Sequence, residues 1–94
     1  MKNPAAVLAH ALSQCRSDVE IQALLRDLMT SAELEEIANR LDIARTLWTT
    51  DNTYLEIAAE FKTSTTTVTR VADWLYKKPY GGYRTILNRL YPKK

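Results

Sequence analysis

Residues that break or cross-link secondary structure are scarce in this 94-residue chain, which holds two glycines, three prolines and one cysteine. So few glycines and prolines argue against long irregular loops and favour helices. The lone thiol of Cys15 cannot form an internal disulfide, which fits a reducing cytosol. We interpret Cys15 as a small apolar residue on a helical stripe with Leu8 and Leu12, rather than as a reactive thiol.

Long hydrophobic runs are also missing. No apolar stretch approaches the roughly 18 residues of a membrane span, and the N-terminus lacks the basic-then-apolar pattern of a signal peptide. We therefore expect a cytoplasmic protein without a membrane partner.

The residue types that enzymes depend on are equally sparse. His10 is the only histidine, which leaves neither a histidine-based metal site nor a Ser-His-Asp arrangement. No glycine-rich phosphate loop is present, and Glu35 and Glu36 lie on the polar face of a predicted helix. We expect no enzyme, no catalytic residue, no bound metal and no cofactor.

The small net charge of +2 hides an asymmetry between the two halves of the chain. Residues 1–52 carry five basic and eight acidic residues, whereas residues 53–94 carry eight basic and three acidic residues. A positive half on a nearly neutral chain favours one face that meets phosphate. Ordinary solvated charge explains the same numbers equally well.

Helix starts are marked clearly along the chain. Asn3 and Pro4 suit an N-cap and a first helical position. Three capping boxes follow, at Ser17–Glu20, Thr30–Glu33 and Thr53–Glu56, each ahead of an apolar stripe. The longest stripe predicts a helix over residues 31–48, and it comprises Leu34, Ile37, Ala38, Leu41, Ala44, Leu47 and Trp48.

The threonine-rich run over residues 63–69 favours a strand when read alone. No second strand is available to pair with it, and an isolated strand is not stable. We therefore predict a helix from about residue 65 to residue 77, a turn at Tyr80-Gly81-Gly82 and a last helix from Tyr83. The chain is predicted to be all-α, with about six helices.

Residues 53–77 fit a helix-turn-helix, in which two short helices pack at a steep angle. Ala58 stands where the helices approach most closely, and four apolar residues stand where the angle is buried, namely Ile57, Phe61, Val68 and Val71. Two positions depart from the ideal pattern. Lys62 holds the turn position where glycine is favoured for its positive φ, and Thr63 stands where an apolar residue is commoner.

The outward face of the second helix carries the groups that DNA recognition needs. Short hydroxyls can bond base edges, the threonine methyl can contact thymine, and cations suit phosphate or guanine. The predicted DNA-binding residues are Thr53, Lys62, Ser64, Thr65, Thr66, Thr67, Thr69, Arg70, Lys77 and Lys78, with Arg84 as a further cation that suits the DNA backbone or a guanine edge.

Three stretches resemble the Trp repressor superfamily, in particular its YerC/YecD-type branch: Leu24–Thr30, the long helix with Arg40, and the run from Thr53–Glu56 through Thr67–Arg70. The resemblance implies an intertwined homodimer of six-helix subunits, with residues 1–52 and 80–92 as the dimerisation core. Two recognition helices would then face a palindromic operator in double-stranded DNA, about 34 Å apart. It also implies repression of transcription.

The same resemblance implies an effector pocket, in which two arginines hold an indole ring beside a threonine. By position these are Arg40, Arg70 and Thr30. Two small residues of the family are replaced here by Val71 and Trp74, which argues against tryptophan binding. Our hypothesis is that Val71 and the Trp74 indole fill the space, so that DNA binding needs no corepressor or a different effector.

One alternative remains open from the sequence. A helical protein-protein interaction module could have kept this fold without binding DNA. The two functions differ in salt dependence, because only a DNA-binding protein loses affinity for duplex as salt rises.

Overall fold

The computed structural model describes residues 3–93, and within this range it contains six α-helices and no strand. The prediction of an all-α chain with about six helices is confirmed. No helix among these residues is long and apolar enough to cross a bilayer. The helices are α1 (Pro4–Gln14), α2 (Asp18–Leu28), α3 (Ser31–Thr49), α4 (Tyr54–Glu60), α5 (Thr65–Tyr76) and α6 (Gly82–Leu90).

Side-chain caps fix the helix starts close to the predicted residues. The Asn3 side chain accepts a hydrogen bond from the amide of Ala5 at 2.8 Å. Ahead of α4, the hydroxyl of Thr53 accepts from the amide of Glu56 at 3.1 Å, and the Glu56 carboxylate accepts from the amide of Thr53 at 2.8 Å. These bonds lower the pKa of Glu56, because they favour the charged carboxylate.

The other two boxes differ in one detail. Thr30 and Glu33 repeat the reciprocal pair, with distances of 3.1 and 2.9 Å. At the start of α2, Ser17 accepts from the amide of Glu20 as expected. The Glu20 carboxylate, however, accepts from the amide of Arg16 and not from that of the cap residue. The box therefore closes one residue earlier in the chain than the sequence predicted.

The chain divides into two compact units, one up to Glu36 and one from Ile37 onward. In the first unit, neither α1 nor α2 contains a buried residue. Cys15, which follows the last residue of α1, is half-buried rather than fully buried. Four large apolar side chains of this unit are exposed, namely Val7, Leu8, Val19 and Leu28.

The second unit contains the buried core. Its members come from four helices: Ile43, Ala44 and Leu47 of α3, Ile57 and Ala58 of α4, Val68, Val71, Ala72 and Leu75 of α5, and Leu87 of α6. Phe61 packs against this cluster from its edge. The small and apolar positions predicted for a helix-turn-helix are therefore the positions that pack α4 against α5.

The apolar stripe predicted along α3 does not coincide with its buried face. Ala44 and Leu47 are buried as expected, but Ile37 and Leu41 are 49% and 44% exposed. Ile43, which the stripe omitted, is one of the largest fully buried side chains. Helix α3 therefore has two apolar faces, one buried in the core and one exposed. The predicted stripe follows mainly the exposed face.

The turn between α4 and α5 contains a strained residue. Lys62 has a positive φ of 53°, the left-handed region that is costly for a residue with a Cβ. The amide of Thr63 bonds the carbonyl of Ala58 at 2.9 Å, and the amide of Lys62 bonds that of Ala59 at 3.3 Å. These two bonds define a Schellman motif, in which glycine is the usual residue at the position of Lys62.

Replacing Lys62 by glycine should stabilise the protein by about 1 kcal/mol, because glycine adopts this conformation without Cβ strain. For a chain of this size, the melting temperature should rise by about 4–8 °C. Lys62→Ala is the matched control, since it removes the same charge but keeps the Cβ. Equal melting temperatures for the two variants at one protein concentration would contradict the assignment.

Candidate nucleic-acid interface

Helix α5 forms despite its β-branched start because capping and burial outweigh local propensity. Ser64 is the N-cap, and its Oγ accepts a hydrogen bond from the amide of Thr67 at 3.2 Å. The inward face then buries four apolar residues, Val68, Val71, Ala72 and Leu75. The predicted helix over residues 65–77 is confirmed to within one residue, since Lys77 is the C-cap.

The outward face of α5 lines an open groove of about 430 Å³. Five of the predicted DNA-binding residues meet there, together with two tyrosines and an aspartate that the sequence analysis did not single out. The groove is lined by Thr65, Thr66, Thr69, Arg70 and Lys77, and by Tyr54, Tyr76, Asp73 and Ala72.

The hydroxyls of this segment differ in what they can still bond. Thr69 Oγ1 donates to the carbonyl of Thr65 at 2.8 Å, so it retains only acceptor capacity and its methyl group. Thr67 is half-buried, and its hydroxyl contacts the Ser64 hydroxyl at 3.2 Å. Thr66 is exposed, and its side chain makes no hydrogen bond to the described part of the chain. Thr65 is also exposed on the groove, and its side chain makes no hydrogen bond to the described residues either, so these two hydroxyls are the most available to a ligand.

The predicted cations also separate into different environments. Arg70 and Lys77 are exposed on the groove. Lys78 forms an ion pair with Asp73 at 3.4 Å. Arg84 does not reach outward, because its guanidinium donates to the carbonyls of Leu75 and Tyr76 at 3.3 and 3.2 Å.

Arg84 therefore closes the C-terminus of α5, where several carbonyls lack intrahelical partners. Charge alone suits Arg84 to the DNA backbone or a guanine edge, but in the structure its guanidinium is bonded to the end of its own chain's helix.

Two predicted residues flank the groove on the side of α4. Thr53 is exposed, but its hydroxyl and amide are both engaged in the capping box. Lys62 is exposed at the turn between α4 and α5. Neither residue lines the groove itself.

Tyr76 connects α5 to the end of α3. Its hydroxyl donates to the carbonyl of Leu47 at 3.2 Å. Partial burial, together with the nearby Tyr54, raises the pKa of the Tyr76 phenol. The hydrogen bond to Leu47 anchors the Tyr76 side chain, which lines the groove. A tyrosine within a run of helical periodicity gives no sequence signal for this contact.

The residues predicted for an effector pocket do not all share one site. Arg40 and Trp74 line a cleft of about 620 Å³ that also contains Tyr80, Gly81 and Gly82. Arg70 lies instead on the groove of α5. In the first unit, the Thr30 hydroxyl is used in the cap of α3.

The two substituted positions of that pocket also behave differently from each other. Val71 is buried, as the space-filling hypothesis requires. Trp74, however, is 47% exposed and stacks against Tyr80, with ring centroids 6.0 Å apart and an interplanar angle of 16°. The indole lies next to the buried residues of α5 and not among them. It therefore lines the open cleft.

The comparisons with known proteins point the same way as the packing of α4 on α5. The family model described as Trp repressor protein matches residues 5–91, nearly the whole chain. The chain belongs to the Trp repressor protein family. That family consists of DNA-binding helix-turn-helix regulators rather than enzymes. Neither the curated proteins nor the solved structures gave a match.

Membership in the Trp repressor protein family agrees with the resemblance found in the sequence. The pair of helices in this chain whose packing fits a helix-turn-helix is α4 and α5, joined by the turn at Lys62. Within residues 3–93, no group of three or more His, Cys, Asp or Glu side chains is placed to hold a metal ion.

The capping serine and an exposed threonine of α5 should respond differently to truncation of their side chains. Ser64→Ala should lower the free energy of unfolding by about 1 kcal/mol, because the Thr67 amide loses its acceptor. Thr66→Ala should change it by less than about 0.5 kcal/mol, since the side chain is exposed and unbonded. Urea denaturation of both variants measures the difference. Equal losses would show that Thr66 is also structural.

Proposed function

We propose that this chain is a sequence-specific transcriptional regulator that represses by placing α5 in the major groove of a palindromic operator. The observation that carries the proposal is the groove on α5, which presents an unbonded threonine hydroxyl beside Arg70 and Lys77. Threonine and arginine read base edges, and lysine neutralises phosphate. The positive second half of the sequence supplies the long-range attraction.

The operator contacts divide among the predicted residues by chemistry. Thr66, Thr69 and Arg70 are assigned to base edges, and Lys77 to the backbone. Ser64 and Thr67 hold the N-terminus of α5 in place, where backbone amides favour phosphate. Thr65 borders the same groove, while Thr53, Lys62 and Lys78 are assigned to the flanking backbone.

A homodimer is part of the same proposal, and unpartnered apolar surface supports it. In the second unit, α3 and α6 border a groove of about 310 Å³ whose lining is mostly apolar. Leu41 and Leu90 contribute to it, and they are 44% and 60% exposed. Neighbouring Ile37 and Ile86 are exposed as well. Contiguous apolar surface of this kind is a feature of protein-protein interfaces.

The first unit supports a dimer independently, because α1 and α2 contain no buried residue. A second copy that covers these stripes would supply the burial that a chain of this length lacks alone. Symmetric dimers read two-fold symmetric DNA, which is why a palindromic operator follows from the dimer. A regulator of this kind works in the cytoplasm.

We further propose that operator binding does not require tryptophan. Buried Val71 removes the space that a small residue would leave beside the second arginine. Thr30, Arg40 and Arg70 stay the predicted effector residues, for a ligand other than tryptophan or for none. The open cleft beside Trp74 is compatible with either.

Selection of bound sequences from random duplex DNA tests the proposal directly. The wild-type protein should enrich a palindrome whose half-sites are centred about one helical turn apart. Thr66→Ala should change the enriched sequence, because it removes a base contact. Lys77→Ala should keep the sequence and lower affinity for all duplexes alike, since phosphate contacts carry no sequence information.

The outcomes separate the candidate functions. Enrichment of no sequence, with no salt-dependent affinity for any duplex, would favour the protein-protein interaction module. Identical effects of the two substitutions would refute the division between base and phosphate contacts.

Sedimentation of the wild-type protein should give the mass of a dimer. Leu41→Glu should shift the protein toward monomer, because a carboxylate is costly to bury in an apolar interface. Leu55→Glu is the matched control, since Leu55 is 72% exposed on α4 and does not line the apolar groove. A monomeric wild-type protein at micromolar concentration would overturn the dimer.

A further inference from the structure

A second depression lies beside the groove of α5, at the end of α3. This notch has a volume of about 390 Å³, and its surface is mainly polar. It is lined by the loop residues Thr50, Asp51 and Asn52, by Leu47, Trp48 and Thr49 of α3, and by Tyr54, Tyr76 and Lys93. None of the residues assigned to DNA above lines it.

Most hydroxyls of the notch are already committed as donors. Thr49 Oγ1 donates to the carbonyl of Arg45 at 2.8 Å, and Thr50 Oγ1 donates to that of Thr46 at 2.7 Å. The Tyr76 hydroxyl donates to Leu47, as described above. These three hydroxyls are therefore not free donors for a ligand in the notch.

Lys93 is held at the notch by the segment that follows α6. Trp48 Nε1 donates to the carbonyl of Tyr91 at 2.9 Å, and the amide of Lys93 donates to Asn88 Oδ1 at 3.5 Å. The Lys93 ammonium lies 4.0 Å from the centre of the Trp48 ring. No carboxylate of the described residues forms an ion pair with it.

The notch and the groove of α5 are neighbours, because Tyr54 and Tyr76 line both. Lys77 lies on the groove side of this tyrosine pair, and Lys93 lies on the notch side. A cationic side chain therefore stands on each side of one aromatic boundary. A polyanion that crosses the groove has a second cation directly along its path.

We propose that the notch binds a backbone phosphate of the operator, with Lys93 as the charged donor and the Asn52 side-chain amide as a second donor. The inference rests on the proposed DNA-binding function and extends its footprint beyond the helix-turn-helix. The contact positions the protein on the duplex and carries no sequence preference. Asp51, the acidic residue of the notch, opposes the phosphate and limits its affinity.

The test compares charge changes in the full-length protein on one duplex. Lys93→Gln should reduce the slope of log affinity against log salt by about 1 for each protomer bound, because one phosphate contact is lost. Arg89→Gln is the matched control, since Arg89 is an exposed cation of α6 outside the notch. Asp51→Asn should act in the opposite direction and strengthen binding about twofold or more at fixed salt, as a repulsive charge is removed.

The following outcomes decide whether the notch is a phosphate site. An unchanged slope for Lys93→Gln, or an equal change for Arg89→Gln, overturns the phosphate site. Lys93→Arg keeps the charge, so restoration of the slope by this variant supports the site even if the glutamine variant is less stable. If the wild-type protein binds no duplex at any salt, the proposed function fails first, whereas loss of the notch effect alone leaves that function intact.

Discussion

The packing of α5 against α4 and the end of α3 is the constraint on which the rest of the structure depends. Val68 and Leu75 are fully buried on α5, and Ile57 and Ile43 are fully buried opposite them. Each such side chain contributes about 2 kcal/mol through removal of apolar surface from water. That gain holds a threonine-rich segment in a helix against its β propensity, and so turns its polar side chains outward.

Once the helix is fixed, hydrogen-bond commitments decide which outward groups can act. Ser64 and Thr67 complete the cap, and Thr69 bonds backward along the helix. Lys78 is paired with Asp73. All these residues are polar, but only some of them have a hydrogen-bond donor that is not already bonded within the chain. The predicted residues of α5 therefore differ in how they can contact a ligand, and Tyr54 and Tyr76 extend the groove toward the end of α3.

The apolar surface is divided as unevenly as the polar surface. The second unit buries a core from four helices, while α1 and α2 contain no buried residue. Helix α3 carries one apolar face into the core and leaves another exposed. A sequence pattern cannot distinguish a face that meets its own chain from a face that meets a second copy, because both have the same helical period.

The amino-acid sequence by itself determined the six helices, the four capping residues Asn3, Ser17, Thr30 and Thr53, and the positions that pack α4 against α5, since these depend on neighbours within four residues or on small side chains at fixed spacing. Only the tertiary structure decided that Ile43 is buried while Leu41 is not, that Arg84 closes the end of α5, and that Trp74 lines an open cleft. It also brought Lys93 to Trp48, 45 positions away in the chain. Such pairs lie far apart in sequence, so their contacts follow from packing and leave no local periodic signal.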